Sequence, residues 1–143
     1  MKLILVLVLT GIVLSCSRPQ GDPDLVVQVS DMVGKWKIDE EATKSEMGLN
    51  VLERVGLEMY RDMQLEFTPG KIKVQLSMLG ESKEFEGNYR VLAAQGPQIT
   101  IEATSGPEQG QKSTLTFLAH NQIRLEKEDR KGKSSRLVLR KVL

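Results

Sequence analysis

Met63-Gln64-Leu65-Glu66-Phe67-Thr68-Pro69-Gly70-Lys71-Ile72-Lys73-Val74-Gln75-Leu76-Ser77-Met78 decides the fold. Met63, Leu65 and Phe67 alternate with Gln64 and Glu66; Ile72, Val74, Leu76 and Met78 alternate with Lys73, Gln75 and Ser77. A period of two puts one side chain in a core and the next in water, the mark of a half-buried β-strand. Pro69 and Gly70 stand where a tight turn needs a fixed φ and then a glycine. The stretch predicts a β-hairpin with one apolar face.

The same pattern repeats towards the C-terminus. Phe85, Gly87, Tyr89 and Val91 share a face opposite Glu84, Glu86, Asn88 and Arg90. Ile99, Ile101 and Ala103 follow a Gln95-Gly96-Pro97 turn, and residues 106–110 read as a loose loop. Leu115 and Phe117, then Ile123 and Leu125, then residues 134–142 complete the series, with turns at 119–121 and 129–133. Upstream, Trp36 and Ile38 share a face of a short strand from Gly34. Between it and Met63 the period changes. Asp39 suits an N-cap, and Glu40 and Glu41 suit a first helical turn. Leu52, Val55 and Met59 then recur at helical spacing, up to about Arg61. Gly48 and Gly56 weaken this helix, which favours two short ones. The expected fold is mainly β: one up-and-down antiparallel barrel of about eight strands, with a helical insertion between strands 1 and 2. Closure follows because a long meander otherwise leaves two exposed edges.

The N-terminus follows another grammar. Lys2 precedes an apolar run over residues 3–14, too short to span a bilayer and the right length for a secretory signal. It ends Val13-Leu14-Ser15-Cys16. This resembles the lipobox of bacterial lipoprotein precursors, with Val13 where leucine is usual and Leu14 where a smaller residue is frequent. The resemblance implies cleavage after Ser15, acylation of Cys16 and permanent attachment to a membrane, since two or more acyl chains anchor stably. Ser17, rather than an aspartate, follows the cysteine. In a two-membrane host this implies the outer membrane over the inner one within the cell envelope. Cys16 is the single cysteine, so no internal disulfide forms. Residues 16–30, with Pro19, Gly21 and Pro23, read as the lipidated cysteine and a polar tether. Residues 31–143 remain for the barrel domain.

Gly34-Lys35-Trp36 resembles the Gly-x-Trp signature opening the first strand of lipocalins and fatty-acid-binding proteins, together the calycins. The resemblance implies that Trp36 closes one barrel end and that a late arginine, Arg136 or Arg140, packs on it as a cation–π contact. It also implies a small apolar ligand inside the barrel. Interior positions facing such a ligand are Met59, Leu65, Phe67, Val74, Leu76, Met78, Phe85, Tyr89, Ile101 and Phe117. One departure is plain. Leu137 and Leu139 fall where fatty-acid-binding proteins carry an Arg-x-Tyr carboxylate clamp, and eight strands enclose less space than that branch's ten.

Composition narrows the classes further. The 143 residues carry 20 Lys and Arg against 19 Asp and Glu. This balance argues against nucleic acid. The basic C-terminal stretch, with Arg130, Lys131, Lys133, Arg136, Arg140 and Lys141, reads as a solvated strand face or as a patch for anionic headgroups. His120 is the single histidine, in a turn, without the partners that a triad or metal site needs. Glu84 and Glu86 share the polar face of their strand. No cofactor motif and no catalytic constellation is present, so the sequence reads as a monomeric non-enzyme. Two readings stand: a tethered barrel holding a small apolar ligand under its helix, or a filled barrel that works through its outer surface. Met47, Met59, Met63 and Met78 suit either a pliable ligand lining or a plain core plug.

Overall fold

In the computed structural model, which describes residues 24–47, 61–78, 80–128 and 134–143, the chain forms a closed antiparallel barrel in strand order β1 to β8. The elements are α1 (Val29–Met32), β1 (Gly34–Ile38), α2 (Glu40–Met47), β2 (Gln64–Thr68), β3 (Lys71–Met78), β4 (Glu81–Gln95), β5 (Gln98–Ala103), β6 (Lys112–Ala119), β7 (Gln122–Glu128) and β8 (Ser134–Lys141). Each strand pairs with the next, and β8 returns to β1 through Trp36 opposite Lys141 and Ile38 opposite Leu139. The eight strands and the helix after β1 are where the alternation and the Asp39 cap predict them. The remainder of that helical insertion, with Met59, lies outside the described residues, as do the signal, Cys16 and most of the tether.

Extending the registers once round the barrel returns to β1 about 12 residues along the chain. So large a stagger tilts the strands steeply, and rows of paired residues climb from one barrel end to the other. The lower end carries the β2–β3, β4–β5 and β6–β7 turns and the entry of the chain. At the upper end β1, β3, β5 and β7 finish and β2, β4, β6 and β8 begin.

The core is the inward alternation made physical. Trp36, Phe67, Ile99, Leu115, Phe117, Ile123 and Leu139 are all fully buried. Trp36 and Phe117 meet edge to face at 6.2 Å, and Phe67 and Tyr89 at 6.0 Å, each pair adding a little beyond its buried area.

Two features depart from the sequence reading. Leu25 and Val27, expected in the tether, are buried in this core, and α1 follows them with Met32 fully buried. The folded part therefore begins before residue 31 and stoppers the lower end. The Trp36 indole N–H donates to the Met32 carbonyl at 2.9 Å, and the Val27 N–H donates to the Gly96 carbonyl. The other departure is β4, which starts at Glu81, earlier than its apolar residues indicate. Its first half pairs only with β3, and its second half, after Asn88, pairs with β5. Gly87 sits at this handover. A Cβ there would lie 2.8 Å from the Ser105 carbonyl oxygen, so only glycine lets the 104–106 loop approach.

Candidate functional site

The climbing rows show where the barrel is full and where it opens. Trp36 pairs with Leu65, Leu65 with Val74 and Val74 with Phe85. Opposed residues of an antiparallel pair share a face, so all four point inward. Their exposure rises along the row: Trp36 is 0% exposed, Leu65 3% and Phe85 42%, with Val74 partly buried between them. The lower barrel is packed with its own side chains. At the upper mouth of the barrel, beside the β3–β4 hairpin, the described residues Val74, Leu76 and Phe85 form a partly exposed apolar patch.

The expected interior residues thus separate into two groups. Leu65, Phe67, Tyr89, Ile101 and Phe117 are buried and pack on one another as core. Tyr89 also donates its hydroxyl to the Thr68 carbonyl at 2.8 Å, and its burial raises its pKa above the ordinary value of 10.0. Val74 and Leu76 are partly buried and Phe85 is exposed, so these three can meet a ligand without displacing core. The Met78, Met47 and Met59 side chains lie outside the described residues. The outer side of the same strands is an ion ladder. Lys73 lies 3.3 Å from Glu84 and 3.5 Å from Glu86, and Gln75 donates to Glu84 at 3.1 Å. The contact with Glu84 first, and Glu86 after it, raises the Lys73 pKa.

The lower end corrects one expectation. The cation over the Trp36 ring is Lys141, with Nζ 5.5 Å from the centroid, rather than Arg136 or Arg140. The reason is parity. Lys141 is the register partner of Trp36, whereas Arg140 faces Lys37 and Arg136 faces Glu126, both on the outer surface. Arg136 bonds Glu126 at 2.9 Å, and Arg140 grips the Asp39 carboxylate at 2.9 and 3.2 Å. These pairs neutralise part of the basic C-terminal stretch; residues 130, 131 and 133 lie outside the described residues. The signal for Lys141 was present in the sequence. Leu137 and Leu139 are inward by alternation, and Lys141 continues that face. Gly34, at φ +140°, lets the chain turn from α1 into β1, and an added Cβ would meet the Lys141 stem at 3.0 Å.

Asp39 and Thr43 seal the seam where short β1 runs out beside β8. Asp39 accepts from the Ala42 N–H, Gln122 and Arg140. Burial pushes its pKa up, but these bonds together outweigh it and hold the carboxyl below the ordinary 3.8. Thr43, fully buried, accepts from the Val138 N–H at 2.9 Å and donates to the Val138 carbonyl at 3.3 Å. Its hydroxyl replaces the strand partner that β1 no longer supplies. Val138 faces outward, with Arg124 and Thr116 in its row, yet all three are buried.

Two hollows of the described residues lie on the outside. One, of about 440 Å³, runs along residues 37–41 and 140–142; the other, of about 160 Å³, lies among Glu66, Lys71, Lys73 and Glu86. Both are rimmed mainly by charged side chains, with one ion pair within each rim, Arg140–Asp39 in the first and Lys73–Glu86 in the second. Among the described residues no three His, Cys, Asp or Glu side chains gather in a metal-binding group. His120 is exposed in the β6–β7 turn. Compared with protein-family models and with curated proteins, the chain matches none.

Proposed function

We propose that the protein is a lipid-anchored, lipocalin-like barrel of the bacterial cell envelope that takes a small apolar ligand at its upper end. The supporting observation is the graded row from Trp36 to Phe85. An inward-facing aromatic ring that is 42% exposed, beside partly buried Val74 and Leu76, offers apolar surface to an occupant. The anchor half of the reading rests on the apolar run over residues 3–14 and on Cys16 after Ser15. The missing carboxylate clamp points to an uncharged apolar ligand: the inward positions of β8 are Leu137 and Leu139, both packed on the core. No step of covalent chemistry is assigned to it.

A dye whose fluorescence rises in apolar surroundings tests the mouth. The parent protein is expected to bind it in a saturable way. Phe85→Asp and Leu76→Asp are expected to abolish that binding while the β-rich circular dichroism spectrum stays unchanged. Equal binding by parent and variants would refute a ligand site at the mouth.

A second reading has its own support. Seven core side chains and the Met32 plug are fully buried, so the lower barrel is self-filled. A barrel filled throughout would act through its outer surface as a scaffold. It predicts no dye binding and a protein partner recovered by crosslinking on intact cells.

A further inference from the structure

All but Phe85 of the large apolar side chains exposed among the described residues lie at the lower end of the barrel. Val26 is 76% exposed, Leu92 41%, Val29 38% and Val142 36%, with Leu143 beside it. They come from three separate segments that hydrogen bonds draw together. The Val27 N–H on the Gly96 carbonyl sets residue 26 beside the β4–β5 turn, into which Leu92 leads. The Val142 N–H on the Lys35 carbonyl, and the Lys141 ammonium on the Asp31 carbonyl, fasten the end of β8 to α1 and to the start of β1. Singly exposed apolar residues are ordinary; five around one rim of the barrel, against Phe85 alone elsewhere among the described residues, are the uneven distribution a contact surface produces. Lys35, Lys37 and Lys71 stand exposed nearby, with no ion pair among the described residues. The carboxylate of Asp31 is turned back onto the Gln28 N–H.

The occupant follows from chain length. Asp24, where the described fold begins, is eight residues after Cys16 and belongs to this same end. Eight residues fully extended reach at most about 28 Å, so acylation at Cys16 keeps the attachment point of this end within that distance of the bilayer. We propose that the lower end of the barrel docks on the membrane surface, with Val26, Val29, Leu92 and Val142 entering the headgroup region and the three lysines meeting lipid phosphates. This inference rests on the anchoring reading above. It adds an orientation: the barrel lies lower end down, and its apolar mouth faces away from the membrane.

The test uses the full chain, matured in bacterial membranes and reconstituted into vesicles of phosphatidylethanolamine and phosphatidylglycerol. Acylated Cys16 has no free thiol, so Val26→Cys takes a single environment-sensitive fluorophore. Ser82→Cys, exposed on β4 at the far end, takes the same label as control. The Val26 label is expected to shift to the blue and to be quenched by spin labels on the lipid tails, and the Ser82 label to do neither. Adding Val29→Asp and Val142→Asp is expected to remove the Val26 signal while the protein still floats with the vesicles. Unquenched labels at both sites on floating protein would overturn the docking and leave the anchor intact. A Val26 shift that grows with protein density, without quenching by lipid labels, would overturn it in favour of a second copy. Protein that does not float at all would overturn the anchor and the docking together.

Discussion

Replacing Thr43 by valine removes one hydroxyl and almost no volume, at the point where the barrel seam depends on a side chain. The Val138 N–H loses its partner at 2.9 Å. The Val138 carbonyl keeps one, because the Asp39 N–H also donates to it at 2.8 Å. One buried donor is therefore orphaned, which costs about 1–3 kcal/mol. Thr43→Ser is the matched comparison. It keeps the hydroxyl and gives up a buried methyl, which costs about 1 kcal/mol. Global stabilities of the two variants will lie close together, so urea unfolding alone does not separate them. Hydrogen exchange at the Val138 amide does. In Thr43→Val that amide is expected to lose its protection and exchange through local opening of the seam; in Thr43→Ser it stays protected to near the global free energy. Equal protection of the Val138 amide in both variants would refute the argument that Thr43 stands in for the missing length of β1.

The graded row predicts unequal costs along one face: Leu65→Ala, 3% exposed, is expected to cost about 2–5 kcal/mol in urea unfolding, and Phe85→Ser, already 42% exposed, less than about 1 kcal/mol. Gly87→Ala places a methyl 2.8 Å from a backbone oxygen and should cost about 1–3 kcal/mol, with a shift of the 104–106 loop visible in its amide chemical shifts. Asp39 has a folded pKa held below 3.8, so its contribution is complete above the unfolded value and fades as pH falls through the folded one. The stability gap between Asp39→Asn and the parent, measured by denaturant unfolding, should be full at pH 7 and should narrow below about pH 4.

The barrel was legible because period two is written wherever a strand has one wet and one dry face. Ile99, Ile101, Leu115 and Phe117 could be placed from their spacing alone. Residues 81–83 could not. Glu81, Ser82 and Lys83 are exposed on both faces, so only pairing with β3 makes them a strand, and pairing leaves no mark on hydropathy. Leu25, Val27 and Met32 were lost for a different reason. Four residues of helix carry no readable period, and Pro23 beside them signals a linker. Burial there is imposed from outside, by a barrel end that needs a stopper. The cation on Trp36 was misplaced by one position of parity, because arginine was sought by residue type where alternation pointed to Lys141. The mouth was read as part of one continuous lining. Its separation from the core follows from the tilt of the strands, which register fixes and composition does not.

The central claim is a barrel tethered through Cys16 with room for one apolar guest. Native mass spectrometry of the protein extracted from membranes measures both halves in a single spectrum. The account predicts a polypeptide that starts at Cys16 and carries acyl groups, with a small molecule that departs on collisional activation. An unacylated chain that still begins at Met1, and from which nothing departs, would contradict it.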